Sequence, residues 1–464
     1  MSEKTQEQLV DPKKLSIFKV TWPIFLEILL LMLLGNVDVW MLSQYSDEAV
    51  AGVGVANQII GTALTMFGFV SVGAAVIISQ YIGAKKPEDA KRVSMIAILS
   101  NLAFGLVISA VYVIFRFQFL NLMQVEDYLI GWGQTVILIV GGFVFIQAVL
   151  LTAGSILRSH GYTRDMLYVT LVMNVFNAAG NAIVIFGLFG VPVLGVTGVA
   201  WVTAASKLLG MIIAIVVLMR RIPGIFSSLK TISGFPIHYI KQILRIGLPA
   251  AGENLSFQSY QLVVTTLVAT IGTFALTTMI YARMVNFFIL LFTISIAQGG
   301  SIIMGQLMGA KEYDEIYHRC FKYLRFGIVA SFTGALLLFI FYRPILGIFT
   351  DDPEILSTAR LLFAIGVLLE TGRAFNIIII NGLRATGDAK FPALMAVIFM
   401  WGVGAFGAWL FGIFFGLGLP GILIGSMLDE WIRGIIMFFR WRSRVWQKMG
   451  AIGNDEDPLE EVTA

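Results

Sequence analysis

The sequence predicts an all-α integral membrane protein of twelve transmembrane helices in two pseudo-symmetric six-helix lobes, and three observations lead there. Composition is the first: 58% hydrophobic and only 13% charged residues, with a mean hydropathy of +0.86, where a soluble chain carries roughly 25% charge. Run length is the second. Each apolar stretch holds the ~20 residues a spanning helix needs and lacks the ten-residue alternation of a membrane barrel. The third is an internal repeat, in which a shift of 226 residues superposes Pro23 on Pro249, Glu27 on Glu253, Gly73 on Gly299, Leu157-Arg158 on Leu383-Arg384, Gly161 on Gly387 and Gly195 on Gly421. The same shift brings QYIGAK (80–85) onto QLMGAK (306–311).

Taken in order, the expected spans are 15–43, 49–81, 92–117, 127–156, 165–188, 193–219, 239–270, 274–308, 320–342, 353–383, 391–416 and 418–441. An even number per half gives both lobes one orientation, related by an axis along the membrane normal. The expected organisation is an amino-terminal lobe over 1–219 with a short polar start, a linker over 220–237, a carboxyl-terminal lobe over 238–445 and an acidic tail over 446–464. The linker reading rests on the Gly, Pro and Ser of RRIPGIFSSLKTISGFP (220–236).

Lys and Arg set the topology. Of the 32 basic residues, 25 fall at the termini and even-numbered turns, and only Arg116 and Arg343 on the other side. By the positive-inside rule both termini are cytoplasmic. The net charge of +4 therefore reports topology, and no nucleic-acid partner is inferred. No short cleavable apolar region precedes the first span, so no signal peptide is expected. A single cysteine, Cys320, excludes an internal disulfide, and His160, His238 and His318 lie in turns or at span ends. No metal cluster or Cys/His nucleophile can be assembled from them. HExxH and GxxxxGK[ST] are both absent from the sequence, so it offers neither zinc-protease nor phosphate-loop chemistry.

Charged residues inside spans are expensive and therefore informative. Glu27 and Asp38 in the first span are eleven residues apart, which returns them to nearly one helical face about 16 Å apart along the axis. In the fifth span Thr170, Asn174, Asn177 and Asn181 recur at spacings of four, three and four, a polar stripe on an apolar helix. Thr203 in the sixth span lies at a depth close to that of Asp38 and Asn181. A carboxylate, amide oxygens and a hydroxyl make a pocket able to hold Na⁺ or a proton. The alternative for the amides is interhelical hydrogen bonding worth ~0.6 kcal/mol each, and for Asp38 a structural role.

The order and spacing of several stretches resemble one transporter family. GNVDVWMLSQYSDEAVAGVGVANQI, the QYIGAKK turn, the LRSHGYTRD and LRATGDAK turns and NVFNAAGNAIVIFGLFG are similar to the multidrug and toxic compound extrusion (MATE) transporters over residues 15–445. The resemblance implies alternating access with export of amphipathic, mostly cationic small molecules against Na⁺ or H⁺ re-entry. It also implies no enzymatic activity, no cofactor beyond the transported ion, and a monomer in the inner membrane of a prokaryote. The family's cation site carries over to Asp38, Asn177, Asn181 and Thr203. Many relatives have Asp where Asn181 stands, which leaves the ion open between Na⁺ and H⁺. A lipid-linked precursor flippase of the wider superfamily is the rival transporter; an embedded enzyme or sensor is the rival of another class.

The second half differs in its charges: Val264 and Asp429 stand at the positions of Asp38 and Thr203, and Arg283, Glu370 and Arg373 have no charged counterparts. Glu370 and Arg373, three apart, suit a mutual ion pair. The alternative is a substrate pocket in which Glu370 or Asp429 attracts a cation among Tyr260 and Phe287. Finally, Glu27 maps onto Glu253 and Lys207 onto Arg433, at matching depths, so two buried ion pairs, Glu27–Lys207 and Glu253–Arg433, are expected to clamp the first helix of each lobe to its last.

Overall fold

The computed structural model describes residues 12–228 and 237–452. Of the tail expected over 446–464, residues 453–464 lie outside the described residues, as do residues 229–236 of the linker. Helices joined by short turns dominate, and no strand occurs among the described residues. In chain order they are α1 Ile17–Ser43, α2 Asp47–Gly83, α3 Pro87–Leu122, α4 in two pieces Asp127–Gly141 and Val144–Ser159, α5 Thr163–Phe186 and α6 Gly195–Arg221. The second half continues with α7 Ile237–Ile271, α8 Thr273–Gly309, α9 Tyr313–Ile340, α10 Pro353–Ala385, α11 Lys390–Phe414 and α12 Gly418–Arg442.

Among the described residues nine helices are long and apolar enough to cross a membrane, or ten when the two pieces of α4 count as one span. The two remaining long helices, α7 and α12, also have spanning length, at about 52 and 37 Å by the 1.5 Å rise. They are richer in charge: α7 carries Lys241, Arg245 and Glu253, and α12 carries Asp429, Glu430, Arg433, Arg440 and Arg442.

Local chemistry places the turns. Between α2 and α3, Lys85 takes a left-handed φ of 57°, and Pro87 opens α3, where its missing N–H costs nothing. Lys311, 226 residues on, repeats that conformation with φ 58°. At the start of α10 the Asp352 carboxylate accepts from the amides of Glu354 (2.9 Å) and Ile355 (3.4 Å), satisfying two otherwise unpaired helix-end donors.

The fourth span departs from the single helix expected at 127–156. Its two pieces are bent by 48°, because Ile137–Gly141 winds as a π-turn just before the break. The Phe145 amide donates instead to Ser109 Oγ on α3 at 3.3 Å. A freed backbone donor inside a membrane must find such a partner.

Two compact units emerge from the packing. One comprises Pro23–Ile78 and Lys86–Leu248; the other gathers the chain from Pro249 onward with Ser79–Lys85 and the residues up to Trp22. The divisions in α1 and α7 fall beside Pro23 and Pro249, both inside helices. Inside the first unit, the buried Asn101 Nδ2 faces three acceptors, Phe67 O (3.1 Å), Ser71 Oγ (3.2 Å) and Thr152 Oγ1 (2.7 Å), and ties α2, α3 and α4 together. Inside the second, the last turns of α2 and α8 cross at glycine: a Cβ on Gly83 would overlap the Gln306 carbonyl, and one on Gly309 the Gln80 carbonyl. Such close backbone approach is how small residues pack membrane helices, and it accounts for the repeated QxxGAK.

Candidate functional site

Asp38 lies on α1, Asn177 and Asn181 on α5, and the structure brings them together. Asn181 Nδ2 donates to Asp38 Oδ1 at 2.8 Å and to Asn177 Oδ1 at 3.1 Å. Asn177 Nδ2 in turn donates to Ser206 Oγ on α6 at 3.2 Å, and Ser206 Oγ donates to the Thr203 carbonyl at 2.8 Å. The four-residue spacing of a helix makes the Asn177–Asn181 contact inevitable once both face inward. Thr203 joins the chain through its backbone, and among the described residues no hydrogen bond ties its hydroxyl to Asp38 or the two asparagines. Ser206 was not singled out by the sequence, although it sits one turn from Thr203 and its hydroxyl supplies the link to Asn177.

This cluster is oxygen-rich and incompletely satisfied. Asn177 and Asn181 are buried, and Asn181 Oδ1 has no hydrogen-bond partner. A buried acceptor left open costs free energy, and beside a carboxylate it is suited to a hard cation or to a proton carried on the acid. Among the described residues no group of three or more His, Cys, Asp or Glu side chains is placed to hold a metal, so a cation here would be bound by one carboxylate and neutral oxygens. Asn174, further along the stripe, donates to the Leu30 carbonyl at 2.9 Å, a link between α5 and α1 that fits interhelical glue.

The two expected ion pairs have other partners. Glu27 Oε1 accepts from Arg158 Nη1 at 2.8 Å, and Glu253 Oε2 accepts from Arg384 Nη2. Neither Glu27–Lys207 nor Glu253–Arg433 forms. Depth agreement along a span fixes one coordinate and leaves the helical face open. Arg158 and Arg384, read from the sequence as residues of cytoplasmic turns, sit in the last turns of α4 and α10, and their long side chains reach the glutamates. Arg433 is already held on its own helix by Asp429, through Nε at 2.8 Å and Nη2 at 2.6 Å, and by Glu430 at 3.1 Å.

The second unit contains a cavity of about 450 Å³, a size that suits a drug-like ligand. Four arginines line it, Arg283, Arg373, Arg384 and Arg433, with Glu253, Glu370 and Glu430. Phe287 lines it as well. Tyr260 is buried behind the wall, its hydroxyl 2.7 Å from Ser426 Oγ. Both carboxylates read as able to face a cation are partnered in this structure. Arg373 Nη1 donates to Glu370 Oε1 at 2.7 Å, as the three-residue spacing suggested, and Asp429 grips Arg433 and is not among the lining residues. Glu430 was not anticipated; it accepts from Asn376 Nδ2 at 2.8 Å and lies 3.5 Å from Arg373 and 3.1 Å from Arg433.

The MatE family profile matches the chain twice, over residues 23–183 and 249–410. The chain is 46% identical over 438 residues to the uncharacterized transporter YisQ of Bacillus subtilis (strain 168), covering 94% of this chain and 96% of that protein. It is 24% identical over 447 residues to the probable multidrug resistance protein NorM of Thermotoga maritima, covering 96% of each. In fold it is similar to a solved structure described as an outward-facing conformation of a multidrug resistance MATE family transporter of the MOP superfamily, with a TM-score of 0.86, 18% identity and coverage of 96% of this chain and 98% of that one. With its apolar spanning helices and bacterial relatives along nearly its whole length, the chain is a multi-pass protein of a prokaryotic cell membrane and belongs to the MatE family of transporters.

Proposed function

We propose that the chain is a twelve-span, H⁺- or Na⁺-coupled antiporter that exports amphipathic organic compounds bearing a positive charge, with both termini cytoplasmic and the monomer as the working unit. The single observation that carries this reading is the Asp38–Asn181 contact of 2.8 Å beside the unpartnered Asn181 Oδ1. An intramembrane carboxylate with an open neighbouring oxygen is a place where a cation can bind and leave. The relative from Thermotoga maritima is called a probable multidrug resistance protein, which supports drug-like compounds as the cargo. Binding of the ion at Asp38 would favour one state of the carrier and its release the other, so a gradient of that ion drives export by alternating access.

The reading is tested in proteoliposomes by efflux of a fluorescent organic cation, first under a Na⁺ gradient alone and then under a pH gradient alone. Uphill efflux under one of the two is expected, and it names the ion. Efflux that ignores both gradients would overturn cation-coupled antiport.

A further inference from the structure

The segment that follows α12 folds back over the end of the second unit. Arg444 turns it with a left-handed φ of 57°, and Val445–Lys448 form one 3₁₀ turn. Trp446 is fully buried against Trp441 of α12, with ring centroids 4.6 Å apart and planes within 14°, and its indole N–H donates to the Trp441 carbonyl at 2.9 Å. Arg444 adds a second hold, its Nη1 lying 2.7 Å from Asp314 Oδ1 on α9 and its guanidinium 4.4 Å from the Tyr317 ring. Met449 then passes so close to Gly387, in the turn after α10, that a Cβ there would overlap its carbonyl.

The tip of this strap reaches α2. The Ala451 amide donates to Gln80 Oε1 at 2.9 Å, and Gln80 Nε2 donates to the carbonyl of Ala385, the last residue of α10, at 2.8 Å. Gln80 is buried and belongs to Ser79–Lys85, the short stretch that packs with the second unit although the rest of α2 belongs to the first. One side chain therefore couples the strap, α10 and the end of α2. The two ends of the strap differ in strength. Its root is a pair of stacked, fully buried indoles with a large apolar surface. Its tip is held by hydrogen bonds between uncharged groups, whose net worth against water is modest. A segment fixed firmly at its root and lightly at its tip can open and close without unfolding.

We propose that residues 444–451 are a latch on α2: closed, the tip holds the last turn of α2 against α8 and α10, and it lets go before this face of the carrier opens. This rests on the export reading above, in which the carrier passes between states that expose each face in turn. Because α2 is one continuous helix, movement of its long first part pulls on its last turn, and Gln80 sets how readily that turn yields. The glycine crossing of α2 with α8 supplies the rest of the hold.

The first test is amide hydrogen exchange of the full-length protein in maltoside micelles, which needs neither cargo nor gradient. The Ala451 amide and those of 79–85 should open together, faster than the Trp446 amide and the middle of α10, since a latch and the turn it holds form one cooperative unit. Gln80→Met keeps the length of the side chain and removes both hydrogen bonds; it should speed exchange in 79–85 about tenfold and leave the middle of α10 unchanged. Ala451→Pro, outside every helix, removes only the amide and should act in the same direction. Exchange of 79–85 that ignores both variants, or that rises evenly through α10, would overturn the proposal. The second test joins Gln80→Cys to Ala451→Cys, in a Cys320→Ser background, with a short bis-methanethiosulfonate. In proteoliposomes without any gradient, the cross-link should stop exchange of a fluorescent organic cation across the membrane, and reductant should restore it. Cross-linked protein that exchanges the dye as fast as the same protein before cross-linking would overturn the latch. Wild-type protein whose tip and α2 end open together but which moves no dye would overturn the export reading and leave the latch standing.

Discussion

Glu27 and Arg158 stand 131 residues apart in the chain and 2.8 Å apart in space, and Glu253 and Arg384 repeat the relationship at the same separation. Both glutamates and both arginines are largely withdrawn from the surface, at 7% and 16% exposure in the first pair and 12% and 13% in the second. Each pair joins the first helix of its half to the end of the fourth. Desolvation offsets much of the attraction in such a pair, whereas stripping one partner strands a buried charge. Arg158→Met should therefore lower stability by about 3 kcal/mol, and Arg158→Met with Glu27→Gln by clearly less. Thermal midpoints in detergent for the two single variants and the double decide it; additive losses would show the pair to be uncoupled.

His160 gives the fold a dependence on acid. The half-buried ring follows α4, and its Nδ1 lies 2.9 Å from the Ile156 carbonyl. Burial, reinforced by the positive charge of Lys91, pushes its pKa from 6.5 down to about 4. The folded protein thus holds the ring neutral where an unfolded chain would protonate it. That stability is complete above about pH 6.5 and is lost as pH falls toward 4, amounting to about 1–2 kcal/mol by pH 5. The drop in thermal midpoint between pH 7.5 and pH 5 should shrink in His160→Gln. An unchanged drop would assign the acid sensitivity to other groups.

The crossing of α2 and α8 tolerates no side chain at its glycines. Gly309→Val places atoms inside the Gln80 carbonyl, so the variant should fail to give a monodisperse peak in size-exclusion chromatography. Gly61→Ala, with nothing within 4 Å of the added carbon, should elute as the wild type does. A well-folded Gly309→Val would mean the helices separate there without penalty.

Several of these features are legible in the sequence for a physical reason. Period and length reveal the helices because a bilayer excludes polar backbone unless it is helically bonded, and the polar stripe of α5 reveals Asn177 and Asn181 because a helix repeats every 3.6 residues. Glu370–Arg373 was readable for the same reason, being a neighbour on one helix. Contacts between helices were harder. Arg158 sits in what looked like a turn, and only the three-dimensional reach of its side chain brings it to Glu27. The bend in α4 depends on a π-turn and on Ser109 of another helix, neither of which leaves a periodic trace. Glu430 differs from Asp429 by one position along the chain, and its place on the cavity wall follows from the roll of α12.

The central claim is that Asp38 couples the ion to the cargo, and Asp38→Asn in proteoliposomes tests it most directly. The amide keeps the volume and can still hydrogen-bond Asn181, so the variant should insert and fold as the wild type does. It can neither release a proton nor provide the carboxylate for Na⁺. Under the gradient that drives the wild type, Asp38→Asn should lose uphill efflux of the fluorescent cation while its binding of that dye persists. Uphill efflux at the wild-type rate by Asp38→Asn would contradict it.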